Sequence, residues 1–187
     1  MKRKAYYPVT YTQYKIFIAI SGAQWVSISN AFLGPIPERI IIAMVKNPGF
    51  VCSASTNPVL LYYYYYINLV LYANGFQHLS VPVKMDSYSP FGANRSYETL
   101  FSNTGIHHDD RIQMITLEMF TNDFYILGFD LTQDREADEE HISPPPIRET
   151  CALGHDLKNL PKPVTCLLYA EFPGHVEINK LRNITVE

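Results

Sequence analysis

Hydrophobic and polar positions alternate over several short runs of this chain. The clearest run lies between Tyr62 and Val83, YYYYYINLVLYANGFQHLSVPV. Ile67, Leu69, Leu71 and Ala73 fall on one side and Tyr66, Asn68, Val70 and Tyr72 on the other, the two-residue period of a pleated strand. Five consecutive tyrosines, Tyr62 to Tyr66, extend it, and aromatic side chains suit a half-buried pleated surface. Asn74 and Gly75 tolerate positive backbone angles, so the chain is predicted to reverse there in a tight hairpin. Pro82 lacks a ladder donor, which places the second arm at a sheet edge or strand end.

Further strands follow from the same pattern. Tyr14 to Ile20, YKIFIAI, is a first strand, followed by a turn at SGAQ. Trp25 to Leu33 carries scattered apolar residues and stops at GPIP, where Pro35 and Pro37 end ladder pairing. Arg39 to Lys46, RIIIAMVK, is a continuous apolar run of a length that fits a strand covered on both faces. Phe124 to Leu131, FYILGFDL, is a strand, and Met114 to Phe120 fits either strand or helix. Val164 to Phe172 alternates cleanly, with Val164, Cys166, Leu168, Ala170 and Phe172 on one face. Pro173 and Gly174 are predicted to turn the chain before a last short strand from Val176 toward Val186. Ile147 to Leu157, IRETCALGHDL, alternates too poorly to be read as a regular strand.

One helix interrupts the pattern. Asn94 is positioned to cap a short helix in which Tyr97, Leu100 and Phe101 share a face at spacings of three and four. Ser87 to Asn94, Asn103 to Arg111 and Thr132 to Pro146 read as loops, the last acidic and stopped by three prolines. Seven or eight strands, one helix and no βαβ rhythm give an all-β expectation: an antiparallel jelly-roll sandwich closing two sheets over one core.

Composition sharpens this only in places. The 187 residues, 47% hydrophobic, suffice for one full core, so a single domain over 1–187 is expected. A net charge of −3 gives no electrostatic footprint for nucleic acid. Cys52, Cys151 and Cys166 are odd in number and lack metal-type pairing, which argues against a disulfide framework and for a reducing compartment. No signal-peptide core and no run of about 20 apolar residues is present, so the expectation is an intracellular protein with no membrane partner.

Candidate chemistry is sparse. His107, His108, Asp109 and Asp110 are the most metal-like group, but adjacent residues of an extended chain point apart, and their spacing fits no usual zinc pattern. His78 and His141 are the remaining distant candidate ligands. Glu98, Asp109, Asp130 and Glu171 are available carboxylates, and neither spacing nor context pairs them; Asp130 and Glu171 read as partners in structural hydrogen bonds or salt bridges. There is no GxSxG elbow and no phosphate-binding glycine loop. No catalytic, metal or cofactor residue is assigned. The tyrosine run has the aromatics a single-strand binder needs, but no Lys or Arg lies between Lys46 and Lys84.

Five blocks in order carry a resemblance: NAFLGPIPERIIIAMV (Asn30 to Val45), LVLYANG (Leu69 to Gly75), YETLFSNTGIHHDD (Tyr97 to Asp110), FYILGFDLTQD (Phe124 to Asp134) and VTCLLYAEFPGHVEI (Val164 to Ile178). Together they resemble the C-terminal half of the hexon-like major capsid proteins of Polinton (Maverick) elements and adintoviruses. The resemblance implies the second jelly roll of a double jelly-roll capsid protein, with the first one absent. It further implies a structural virion component that self-associates into homotrimeric capsomers and contacts neighbouring capsomers, without catalysis, cofactor or direct nucleic-acid contact. The tyrosine run and the three loops are its expected contact regions. A jelly-roll module that binds a glycan or protein ligand, motivated by exposed Tyr and Trp25, is the alternative.

Overall fold

The structure, a computed structural model, describes residues 5–51, 53, 55, 57, 60–61, 66–73, 75–77, 83–84, 93–104, 114–132, 148–157, 160–179 and 182–186. Its strands are β1 (Ala5–Ala19), β2 (Trp25–Pro35), β3 (Arg39–Lys46), β4 (Tyr66–Ala73), β5 (Phe76–Gln77), β6 (Val83–Lys84), β7 (Ile126–Asp130), β8 (Arg148–Leu157), β9 (Val164–Ile178) and β10 (Ile184–Val186). Three helices intervene: α1 (Asn47–Phe50), α2 (Asn94–Ser102) and α3 (Leu117–Asn122).

The strands form two sheets. Sheet A has the order β1-β9-β3-β7, with β10 also on β9, and sheet B the order β2-β8-β4-β5, with β6 also on β4. β5 and β6 share one side of β4, while β10 lies in line with β3 beside β9, so ten segments fill eight strand positions. The pairing is antiparallel and nested: β1 with β9, β2 with β8, β3 with β7 and β4 with β5. A long hairpin folded over on itself gives this arrangement, and it is a jelly roll.

The core lies between the inner faces. β9 supplies Val164, Cys166, Leu168, Ala170 and Phe172, the face read from its alternation, and all five are buried. They meet Ile40, Ile42 and Met44 of β3, Leu127 and Phe129 of β7, Phe32 of β2, and Leu69 and Leu71 of β4. Each fully buried large side chain is worth about 1.5–3 kcal/mol relative to exposure. RIIIAMVK is therefore a central strand with one face fully buried and the other only partly covered, since Ile41 and Ala43 are half-buried.

Four sequence expectations change. The first strand begins at Ala5 rather than Tyr14 and runs for 15 residues. Pro173 and Gly174 do not turn the chain, because β9 passes through them to Ile178. The Glu171 carbonyl accepts from the Glu38 amide on the β3 side, so Pro173, two residues on, directs its missing donor to the same side. There β3 pairing has ended at Glu171 and β10 pairing begins only at Val176, so no ladder bond is lost. Arg148–Leu157 does form a strand, held on one side by β2 and on the other by β4. Asn94 is the first helical residue of α2, follows Ala93 at the cap position, and makes no side-chain cap bond. α3 settles the ambiguous Met114–Phe120 run as a helix capped by Thr116, whose side chain accepts from the Met119 amide. Asn74, Pro82 and Tyr62 to Tyr65 lie outside the described residues, but Gly75 has φ +79°, as the predicted hairpin requires.

Candidate interaction surfaces

β1 and β9 carry two kinds of surface. Along the sandwich, the even residues of β1 point away from the core, opposite odd residues of β9: Tyr14 pairs with Tyr169, Ile16 with Leu167 and Ile18 with Thr165. Beside β1 this outer face of sheet A is apolar and exposed, with Tyr14 77% and Ile18 60% exposed, and Ile16 and Tyr169 also exposed, while further in Thr165 and Val45 are buried. Ile20, just past the strand, is 71% exposed. Beyond the sandwich, residues 5–10 of β1, 173–178 of β9 and the short β10 form a three-stranded ribbon in which no described residue is buried. Tyr6, Tyr7, Val9 and Ile184 are exposed on it, and Tyr6 lies 5.8 Å from the ring of His175.

The two edges of sheet A differ. β7, at one edge, is flanked by the end of α2, where the Asn103 Nδ2 donates to the Gly128 carbonyl at 2.9 Å. A side chain at Gly128 would meet Thr104 Cγ2 at 3.3 Å, so α2 lies close against the strand. An aromatic group fixes α2 there: Tyr97 contacts Phe101 at 4.5 Å and Phe120 at 5.3 Å, and Phe120 contacts Tyr125 at 4.9 Å. β1, at the other edge, is exposed along nearly its whole length.

The polar groups of the outer face form one small constellation. Arg39 Nη1 donates to Glu171 Oε2 at 3.2 Å, and the Tyr169 hydroxyl donates to Glu171 Oε1 at 3.1 Å. Burial and the neighbouring Glu171 carboxylate push the Tyr169 phenol above its ordinary value. Asp130 is buried, and its Oδ1 accepts from the Thr132 amide at 2.9 Å and from the Thr132 hydroxyl at 2.5 Å. Both carboxylates therefore serve structural bonds, as their strand positions suggest. Glu98 sits on α2, and His107, His108, Asp109, Asp110, His78 and His141 lie outside the described residues. Among the described residues, no group of three or more His, Cys, Asp or Glu could hold a metal ion, and no helix is long and apolar enough to cross a membrane. Cys166 is a free thiol buried in the core, where desolvation pushes its pKa up to about 12.

Sheet B presents a second feature on its outer face. Trp25 is 55% exposed and its six-membered ring lies over Gly154: a Cβ there would sit 3.2 Å from Trp25 Cη2 and 3.9 Å from Tyr72 Cε2. The glycine gives the indole room to lie on the sheet beside Tyr72. The exposed β1 stripe was missed by periodicity, although its signal is present: Lys15 interrupts a run that is otherwise apolar on both faces.

Comparison with solved structures places this architecture. A quasi-atomic model of the PBCV-1 virus capsid matches 99% of this chain and 52% of its own, with TM-score 0.53 and 9% identity. A crystal structure of PBCV-1 VP54, fitted into a reconstruction of the virophage Sputnik, matches 98% of this chain and 51% of its own, with TM-score 0.52 and 10% identity. The chain has the fold of one half of a double jelly-roll capsid protein. It spans about half the length of the solved chains it matches. The mavirus major capsid protein also aligns, over 42% of its length, with TM-score 0.49 and 6% identity. No family model and no curated protein matches the sequence.

Proposed function

We propose that residues 1–187 form a single jelly-roll capsid domain that works by self-association, without catalysis, metal or cofactor. The carrying observation is the nested strand order β1-β9-β3-β7 facing β2-β8-β4-β5, with nearly all of this chain matched by one half of solved capsid proteins. Its place is the virion, and its partners are copies of itself in trimeric capsomers and the neighbouring capsomers, with no direct nucleic-acid or membrane contact. The five sequence blocks support descent from the hexon-like capsid proteins of Polinton elements or adintoviruses.

Sedimentation across a wide concentration range, with electron microscopy of the heaviest species, tests this. Trimers or larger shell-like assemblies are expected. A strict monomer at the highest concentration, both alone and in a longer chain carrying a second jelly roll upstream, would sink the capsid role. One observation favours a second reading, a glycan-binding module: Trp25 and Tyr72 lie side by side on the outer face of sheet B, the arrangement on which a sugar ring stacks. Absence of binding across a broad glycan array removes it.

A further inference from the structure

We propose that the outer face of sheet A beside β1, centred on Tyr14, Ile16, Ile18 and Tyr169, is the docking surface for a second copy of this chain. This placement rests on the self-association proposed above and assigns it to one face.

Area comes first. Tyr14, Ile16, Ile18, Ile20 and Tyr169 with Tyr6 further along β1 expose roughly 600 Å² of side chain, at the top of the range for the largest patch on a monomer. A standard interface takes about 800 Å² per partner, so this face with its rim is of the right size. Around Tyr14, Ile16 and Ile18 no described residue forms a second layer over the sheet, whereas further across the same face Val45 and Thr165 are buried. Regular sheet faces bury such surface by stacking on another sheet, and another copy of this sandwich offers one of matching pleat.

Charge selects the occupant. On the sandwich part of the face the charged groups are Arg39, Glu171 and Asp130; Arg39 and Glu171 pair at 3.2 Å, and Asp130 is buried with its carboxylate bonded to Thr132, so it presents no charge to a partner. Lys15 belongs to the opposite face of β1, since it pairs with the core residue Leu168. A face of this kind meets its own copy without opposing like charges, whereas nucleic acid or an anionic bilayer requires a cluster of Lys and Arg. The edges agree: α2 flanks sheet A at β7, while β1 is bare, and long uncovered edges of this composition are covered in working proteins.

The test compares sedimentation of the unaltered chain, the double variant Tyr14→Lys with Ile18→Lys, and Trp25→Lys on the outer face of sheet B. Both altered positions in the double variant are exposed, so circular dichroism and the melting temperature are expected to stay near those of the unaltered chain. Two lysines forced into a copy-to-copy contact are expected to raise the concentration for half-association by about a hundredfold or more, while Trp25→Lys leaves it unchanged. If the double variant associates as tightly as the unaltered chain, self-association stands but this face is overturned. An unaltered chain that stays monomeric, both alone and with a second jelly roll upstream, overturns both. Binding of that monomer to neutral phosphatidylcholine vesicles, lost in the double variant, would reassign the face to a lipid surface.

Discussion

Arg39 on β3 and Glu171 on β9 are cross-strand neighbours, and their side chains close a 3.2 Å ion pair at the outer face of sheet A. The side chains are 14% and 22% exposed, so each charge loses much of its water on folding and relies on the other. A double-mutant cycle with Arg39→Met and Glu171→Gln is expected to give a coupling of about 1 kcal/mol in urea unfolding. Each single change is expected to cost more than the pair removed together, because it leaves one charge half-buried and alone.

Cys166 makes stability depend on alkaline pH. Its folded pKa of about 12 lies above the unfolded value, so between the two the unfolded chain has lost a proton that the folded chain keeps. This contribution is fully present below the unfolded pKa and is lost as pH rises toward 12, at about 1.4 kcal/mol per pH unit. Urea midpoints measured from pH 8 upward should fall more steeply for the unaltered chain than for Cys166→Ala. Peptide mapping after thiol labelling should find Cys166 unmodified until the protein unfolds.

Gly154 and Trp25 can be separated by one methyl group. Gly154→Ala brings a Cβ to 3.2 Å from Trp25 Cη2, and the exposed indole must lift to accept it. A cost of about 1 kcal/mol is expected, together with a red shift in emission from the sole tryptophan. Adding Trp25→Ala to Gly154→Ala should recover part of that loss. An unchanged emission spectrum in Gly154→Ala would show that the ring does not rest on the glycine.

Phe172 is where β9 leaves the sandwich for the ribbon. It is buried, stacks on Tyr11 at 5.2 Å and meets the edge of Phe32 at 5.5 Å. Phe172→Ala should lower stability by about 3–5 kcal/mol, measured by chemical denaturation. Val9→Ala, on the uncovered ribbon, should change it by less than about 0.5 kcal/mol.

The sequence is legible where a core imposes its period and illegible where none does. Val164 to Phe172 and Leu69 to Leu71 face the other sheet, and their alternation survives in the amino acids. Residues 5–10 are exposed throughout, with no described residue layered on either side, so nothing selects one apolar face, and among the described residues the strand is extended by its pairing with β9. β2 conceals itself differently. Ile28 pairs with Leu153 and Phe32 with Cys151, so three residues of β2 stand opposite one of β8, with Asn30 at φ +52°. That bulge scatters the apolar residues that a regular strand would alternate. β8 is specified from both flanks, by β2 and β4, more than by its own pattern. The uncovered β1 stripe was legible as hydrophobic sequence but not as surface, because exposure is decided by which layers the topology supplies.

Nested pairing also has a consequence in time. Ala19 meets Val164 and Ala5 meets Ile178, so β1 finds its ladder partner only after every strand from β2 to β8 has been synthesised. At roughly 5–20 residues per second, β1 waits on the order of ten seconds or more with both edges open. During that interval a strand of tyrosine, isoleucine and threonine is offered to every neighbouring nascent chain. Pro8 and Lys15, unremarkable in the finished sheet, are the residues within it that discourage the wrong partner from zipping up first.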